Sequence, residues 1–233
     1  MLKVTDLKAG YGGSEVLHSL SLYVENGETV VVLGPNGHGK TTLLRAISGL
    51  IRPTAGTVEF EDQVISGRRA SEIVAAGVIH IPQGDLPFPE LTVMENLLMG
   101  AYRPEAWKER KQKLEQVFEL FPVLGERTDQ LARSLSCGER RMLALGRGLM
   151  SKAKILMIDE PSLGLAPFLI DDVYQTIRDI KETGLSILLA DENADHLEDL
   201  ADRVYLLEAG TLVKEGKVDE MLQDEALLAA YLG

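Results

Sequence analysis

Short apolar runs punctuate this chain at positions 16–24, 29–33, 78–81, 155–158, 186–190 and 204–207, and in the later half they alternate with segments of helical period. Runs such as Thr29-Val30-Val31-Val32-Leu33 and Ile155-Leu156-Met157-Ile158 show no in-out alternation, the pattern of a parallel strand covered on both faces. Strands of this kind alternating with helices predict a layered α/β core. Between Gln83 and Met150 the texture changes to helices. There Trp107, Leu114, Val117, Phe118 and Phe121 recur at three-, four- and seven-residue spacings and predict one helix over 105–121. Lys108, Arg110, Lys111 and Lys113 on that helix are interleaved with Glu105, Glu109 and Glu115, which reads as a solvated face of mixed charge. Neither a long linker, a low-complexity tract nor an internal repeat interrupts the chain.

With 233 residues, 45% of them hydrophobic, the chain can bury one substantial core and carry a subdomain. A net charge of −12 argues against a surface built to coat nucleic acid, although it leaves room for a local basic groove. Nucleic acid is therefore not an expected partner. No apolar stretch reaches the roughly 18 to 20 residues that span a bilayer, and Met1-Leu2-Lys3-Val4-Thr5-Asp6 lacks the apolar core of a signal peptide. A cytoplasmic location is expected. Cys137, the one cysteine, cannot form an intramolecular disulfide or a Cys-rich zinc cluster.

Directly after the run 29–33 stands Gly34-Pro35-Asn36-Gly37-His38-Gly39-Lys40-Thr41, the phosphate-loop pattern GxxxxGK[ST], and then the helix-forming segment Thr42-Leu43-Leu44-Arg45-Ala46-Ile47. Glycines at these spacings let successive backbone N–H groups turn inward around phosphates at a helix N-terminus. Lys40 is placed to reach the β- and γ-phosphates and Thr41 to offer a hydroxyl to Mg²⁺, so a nucleoside triphosphate is the expected ligand. The run 155–158 ends in Asp159 and Glu160. Adjacent residues at a strand end point to opposite sides, so Asp159 can bind Mg²⁺ through water while Glu160 polarises the attacking water.

Between these two elements lies Leu135-Ser136-Cys137-Gly138-Glu139, followed by the helical run 142–150. A Ser-Cys-Gly step before a helix is in itself an ordinary N-cap. In this order and spacing, however, the segment resembles the signature of ABC-type ATPases, and the resemblance extends over essentially the whole chain. It implies an α/β fold with a P-loop NTPase core of ABC type, an antiparallel β subdomain and an inserted helical subdomain, with 1–84 and 151–233 forming the nucleotide-binding core and 85–150 the helical part. ATP and Mg²⁺ are the implied cofactors. Tyr11 looks like the aromatic that stacks on adenine, with Gly34 to Thr41 and Thr42 around the phosphates. Gln83 looks like the glutamine that touches Mg²⁺ and the attacking water and reports nucleotide state to a membrane partner. Two such subunits would sandwich ATP head to tail, so that Ser136, Gly138 and Glu139 meet the nucleotide held by the partner.

The stretch Phe88-Pro89-Glu90-Leu91-Thr92-Val93-Met94-Glu95-Asn96-Leu97-Leu98-Met99-Gly100-Ala101-Tyr102, with Glu160-Pro161-Ser162-Leu163-Gly164-Leu165-Ala166-Pro167 and the closing Tyr231-Leu232-Gly233, is similar to the smaller ATPase of branched-chain amino-acid importers. That similarity implies membrane permease subunits, an identical or paralogous second ATPase and, indirectly, a solute-binding protein as partners, at the inner face of the cell membrane. A regulatory nucleotide binder with little hydrolysis and a soluble, non-transport ABC ATPase are the alternatives. Three positions depart from the family pattern. Cys137 stands where glycine is usual and would resist a positive φ, and its thiol, near Arg140 or Arg141 at a helix start, is either reactive or an inert small residue. Glu192 takes the place of a switch histidine or glutamine, where its charge would oppose a polyanion; His196, four residues on, is either its substitute or an ordinary surface histidine. Asp85 stands where arginine is usual, on the expected membrane-subunit contact.

Overall fold

A computed structural model describes residues 1–84 and 87–223. The chain opens with a hairpin, β1 (Leu2–Tyr11) and β2 (Ser14–Val24), and β3 (Thr29–Leu33) then feeds α1 (Lys40–Ile47). After β4 (Ala55–Phe60), β5 (Gln63–Val64) and α2 (Ala70–Ala76) comes β6 (Val78–Ile81). Helices α3 (Val93–Gly100), α4 (Pro104–Lys108), α5 (Arg110–Leu120), α6 (Pro122–Glu126) and α7 (Cys137–Leu149) separate it from β7 (Ile155–Asp159). The chain continues through α8 (Pro167–Glu182), β8 (Ser186–Asp191), α9 (Leu197–Leu200), β9 (Arg203–Glu208), β10 (Thr211–Lys217) and α10 (Val218–Met221).

Two sheets result. One is antiparallel in the order β2-β1-β4-β5, and the other runs β10-β9-β3-β8-β7-β6, parallel from β9 to β6 with β10 antiparallel at one edge. Because successive side chains on a strand face opposite ways, each central strand feeds two cores. Val31 and Leu33, Leu156 and Ile158, Ile187 and Leu189 pack with α3, α7 and α8. Val30 and Val32, Ile155 and Met157, Leu188 and Ala190 pack with α1 and the antiparallel sheet. This double burial is why these strands read as unbroken apolar runs.

All six runs lie within strands, but β1, β4 and β10 were not marked by such a run. Burial alternates along β1 and β10, and the first half of β4 is exposed, so polar positions interrupt the apolar ones. The helix expected over 105–121 is broken at Glu109 (φ −97°, ψ 3°) into α4 and α5. The break lets α4 bury Ala106 and leaves Trp107 45% exposed, its ring under the Arg110 guanidinium at 4.2 Å. Val117 and Phe121 are buried as expected, with Leu114 and Phe118 partly buried beside them. Asp85 and Tyr231-Leu232-Gly233 lie outside the described residues.

Helix α3 is started by Thr92, whose hydroxyl accepts the Glu95 N–H while the Glu95 carboxylate takes the Thr92 N–H. Asn96, fully buried on the same helix, accepts the Phe88 N–H at 2.7 Å and donates to the Phe88 carbonyl at 3.0 Å, which fixes the chain shortly after Gln83. His80 on β6 is hydrogen-bonded to Ser48 Oγ at 3.1 Å. Burial, reinforced by the Arg45 charge, pushes the His80 imidazole down to about 4. An unfolded chain takes up this proton near pH 6.5 whereas the folded one resists it, so His80 supports folding above about pH 6.5 and that support is lost as pH falls toward about 4. His80→Asn, which cannot titrate there, should flatten the fall in unfolding free energy between pH 7 and pH 5 measured by chemical denaturation; an unchanged slope would remove His80 as its source.

Candidate functional site

The site lies along the carboxyl ends of the parallel strands, where an open α/β sheet binds ligands. Gly34 leaves β3 with its N–H donated to the Asp191 carbonyl at 3.1 Å, and a Cβ there would lie 2.3 Å from the Leu207 carbonyl oxygen. Only glycine fits so close a backbone approach. Gly37 (φ 82°) and Gly39 (φ 110°) take left-handed conformations, and Gly39 caps α1, so the loop 34–41 bends around the start of that helix, where an anion is favoured. Pro35 and His38 close the turn through the His38 N–H to Pro35 carbonyl bond. The His38 ring is anchored sideways, its Nδ1 accepting the Ala209 N–H at 3.2 Å from the β9–β10 turn. Thr42 is buried on α1 beneath the loop.

Lys40 Nζ donates to the Gly34 carbonyl at 2.7 Å and the Pro35 carbonyl at 3.1 Å, and is paired with Glu160 Oε1 at 3.0 Å. Gln83 Nε2 donates to the other Glu160 oxygen at 2.8 Å. Glu160 has a left-handed backbone, φ 45°, a costly conformation for a side chain with a Cβ and one that clusters at functional sites. Its N–H is held by the Ala190 carbonyl at 2.8 Å. Asp159, one residue earlier and 1% exposed, turns the other way and accepts the Thr41 hydroxyl on Oδ1 at 3.2 Å. Its Oδ2 is buried with no hydrogen-bond partner among the described residues. Burial raises the Asp159 carboxyl above its usual range, opposed by the Thr41 bond. A buried carboxylate oxygen without a partner, beside a threonine hydroxyl, fits a hard divalent cation such as Mg²⁺.

Glu192 follows β8 and is exposed, its carboxylate accepting the Asn36 amide of the phosphate loop. Its neighbour Asp191 is buried, accepts the Glu192 N–H at 2.8 Å and receives the Tyr174 hydroxyl on its other oxygen. Burial pushes this carboxyl up to about 6, against the pull of those hydrogen bonds. His196 stands neither at the loop nor free in solvent: its ring stacks on Tyr174 with centroids 3.9 Å apart. Tyr11, 44% exposed at the end of β1, lies within 3.4 Å of Arg45 on α1 through its hydroxyl. Ser136 and Cys137 are exposed at the start of α7, while Gly138 packs on Leu169. Ser136 and Glu139 form a reciprocal cap on α7, and Glu139 also meets Arg127 at 3.4 Å.

The family model described as ABC transporter matches residues 17–163. The chain is 38% identical to the high-affinity branched-chain amino acid transport ATP-binding protein BraG of Pseudomonas aeruginosa, over the whole of both chains. The chain belongs to the ABC transporter ATP-binding family. This ABC ATPase is also 33% identical to a probable branched-chain amino acid transport ATP-binding protein LivF of Archaeoglobus fulgidus, covering 100% of this chain and 99% of that one. The lipopolysaccharide export system ATP-binding protein LptB of Haemophilus influenzae is 32% identical, with 100% and 97% covered. Among solved structures, a nucleotide-free ATP-binding cassette from an ABC transporter superposes with a TM-score of 0.85 at 27% identity, covering 100% of this chain and 99% of that one. The ABC ATPase fold, nucleotide binding and ATP hydrolysis coupled to transport follow from this membership.

Of the two arginines expected near the Cys137 thiol, Arg140 and Arg141, the second is not there. The fold sends it elsewhere: it is 2% exposed, with Nη1 on the Gly84 carbonyl and Nη2 on the Leu163 carbonyl, each at 3.3 Å. Arg141 thus ties the loop after Gln83 to the loop after Glu160. Arg140 is the one that reaches the thiol, Nη2 to Sγ 3.0 Å. The positive φ anticipated at position 137 is not there, because Cys137 is the first residue of α7 and lies outside the left-handed positions. With no such strain to relieve, Cys137→Gly should leave the ATPase rate of this ABC ATPase within about two-fold of wild type and lower stability by at most about 1 kcal/mol. A several-fold rise in rate would show that crowding at position 137 limits turnover.

Proposed function

We propose that this chain is the ATP-hydrolysing subunit of an importer for branched-chain or related amino acids, driving a separate membrane permease from the cytoplasmic face. The full-length similarity to relatives named for branched-chain amino-acid transport carries the choice of cargo class, supported by the stretch 88–102. The pocket that selects the solute lies in other polypeptides, and relatives named for lipopolysaccharide export share this ATPase body at 32% identity. Co-reconstitution with its cognate permease, second ATPase and solute-binding protein, followed by ATP-dependent uptake of labelled leucine into vesicles, tests the cargo; no uptake of any branched-chain or related amino acid would reject it.

In this reading Glu160 is the water-orienting base, and Lys40 with the loop amides stabilises charge on the transferring phosphoryl group. Lys40 leaves Glu160 Oε1 when it turns to the β- and γ-phosphates, which releases that oxygen to receive a proton from water. Gln83 keeps hold of Oε2 and so keeps the carboxylate aimed. Thr41 and Asp159 would hold Mg²⁺, with Gln83 nearby, and bound Mg²⁺ supplies neutralisation of phosphate charge. Tyr11 offers its exposed ring to adenine. Ser136 is exposed at the start of α7, with Glu139 half-buried and Gly138 buried behind it, and in the head-to-tail arrangement this helix start closes the partner subunit's site.

A permease contact is supported by a groove of about 360 Å³ between β6, α3 and α7, lined by Leu50, Phe88, Met99 and Tyr102, each 46 to 59% exposed. Large apolar side chains grouped on a surface mark a protein contact. The groove opens beside Pro82, next to Gln83, so a partner seated there would sense the residue that holds Glu160. Among the described residues no helix is long and apolar enough to cross a membrane.

Glu160→Gln should retain or raise ATP affinity, since it removes the competitor for Lys40, lower turnover by about 10² or more and trap an ATP-bound dimer. An unchanged hydrolysis rate in the assembled complex would sink the assignment. Ser136→Arg is expected to abolish ATPase activity while the isolated monomer still binds ATP by titration calorimetry. For the groove, Met99→Lys with Tyr102→Asp should prevent co-purification with the permease yet leave nucleotide binding intact; retained assembly would move the docking surface elsewhere.

A further inference from the structure

One well-connected buried side chain beside the site is not advertised by the sequence. Tyr174, in the middle of α8, is 2% exposed, and its hydroxyl enters the gap between two strand ends. The single phenolic proton is donated to Asp191 Oδ2. Ser162 Oγ lies 3.2 Å from the same phenolic oxygen and is left to donate to it. Ser162 is two residues beyond Glu160, and Asp191 is the residue before Glu192. The ring itself is fixed by its stack on His196, tilted 22°.

What Tyr174 fixes in turn is the exit from β8. Asp191 Oδ1, on the far side of the carboxylate, accepts the N–H groups of Glu192 and Asn193 at 2.8 and 3.3 Å, which sets the turn that presents Glu192 to Asn36. The Asp191 carbonyl accepts the Gly34 N–H at 3.1 Å, so the same residue anchors the first residue of the phosphate loop. Without the phenol, Oδ2 of this buried carboxylate would lose the hydrogen-bond donor that it has among the described residues, and buried carboxylates left so must rotate, protonate or admit water. Each response disturbs the turn.

We propose that Tyr174 is a positioning residue for ATP hydrolysis: its hydroxyl, held between Asp191 and Ser162, aligns the Glu192 turn and the segment following Glu160 against the phosphate loop. It never touches nucleotide; it acts through Asp191 and Ser162. The proposal rests on the placement of Glu160 and Glu192 at the reacting phosphate.

Tyr174→Phe keeps the ring, its volume and its stack and deletes only the hydroxyl. In the full chain assembled with its transporter partners, kcat for ATP should fall about ten-fold while KM changes less than about two-fold, the split expected when an interaction serves the transition state. The effect should be non-additive with Glu192→Gln, because both act through one turn. A purely structural role would lower the melting temperature and leave kcat per folded molecule unchanged. An unchanged kcat, or losses that simply multiply in the double variant, would overturn the proposal. Should Tyr174→Phe not fold, Ser162→Ala, at a half-buried position, must still lower kcat without raising KM, and full activity there would overturn it equally. Glu160→Gln measured in parallel separates the two claims: retained turnover in that variant rejects the base assignment, whereas a loss there with no effect of Tyr174→Phe rejects only the role of Tyr174.

Discussion

Lys40 and Glu160 lie 3.0 Å apart with side chains 2% and 7% exposed, so neither charge can be left without a partner. Removing one member of such a buried pair costs about 3 to 5 kcal/mol, because the other charge stays behind in a poorly polarisable surrounding. The two residues come from opposite ends of the chemistry, Lys40 from the first turn of α1 and Glu160 from the exit of β7. Their pairing therefore fastens the phosphate loop to the carboxyl end of β7. It also explains how Glu160 keeps a left-handed backbone that costs on the order of 1 kcal/mol or more. The N–H is taken by Ala190, one carboxylate oxygen by Lys40 and the other by Gln83, so the conformation is over-determined. In the proposed mechanism Lys40 and Glu160 are coupled directly, so drawing Lys40 to a phosphate would alter the setting of Glu160 through this one contact.

The sheet makes this arrangement possible by burying both faces of β3, β7 and β8, which leaves polar residues nowhere to go but the strand ends. Gly34 to Thr41, Asp159 and Glu160 were legible in the sequence for that reason: each follows an unbroken apolar run, and contiguous residues carry its chemistry. Gln83 was read through the family resemblance, because a polar residue just past a strand such as β6 signals nothing by itself. Arg141, Tyr174 and Asp191 were not legible, because what they do is tertiary. Arg141 bonds carbonyls 57 and 22 residues away in sequence, and Tyr174 meets Asp191 across 17. No local spacing encodes such contacts. β1 was obscure for a different physical reason, since a half-buried strand interleaves polar residues with its apolar ones and shows no unbroken run. The interruption at Glu109 escaped detection because helical period continues through the break in sequence while the backbone does not.

The departures from the family pattern look different once placed. Cys137 lies in helical conformation, so the left-handed strain expected of it is absent, and its sulfur instead receives Arg140. Glu192 was expected to repel the γ-phosphate as a bare charge. In the fold its carboxylate is met by the Asn36 amide from the very loop that binds phosphate. At an effective dielectric near 20, like unit charges about 5 Å apart repel by roughly 3 kcal/mol, and salt and a bound cation reduce this. A hydrogen bond to a charged group contributes about 1.5 to 3 kcal/mol. The two effects are of the same size, so a carboxylate after β8 is compatible with phosphate chemistry as long as Asn36 stays with it. That condition ties the behaviour of Glu192 to the stiffness of its own turn, and the turn is set by Asp191 beneath it.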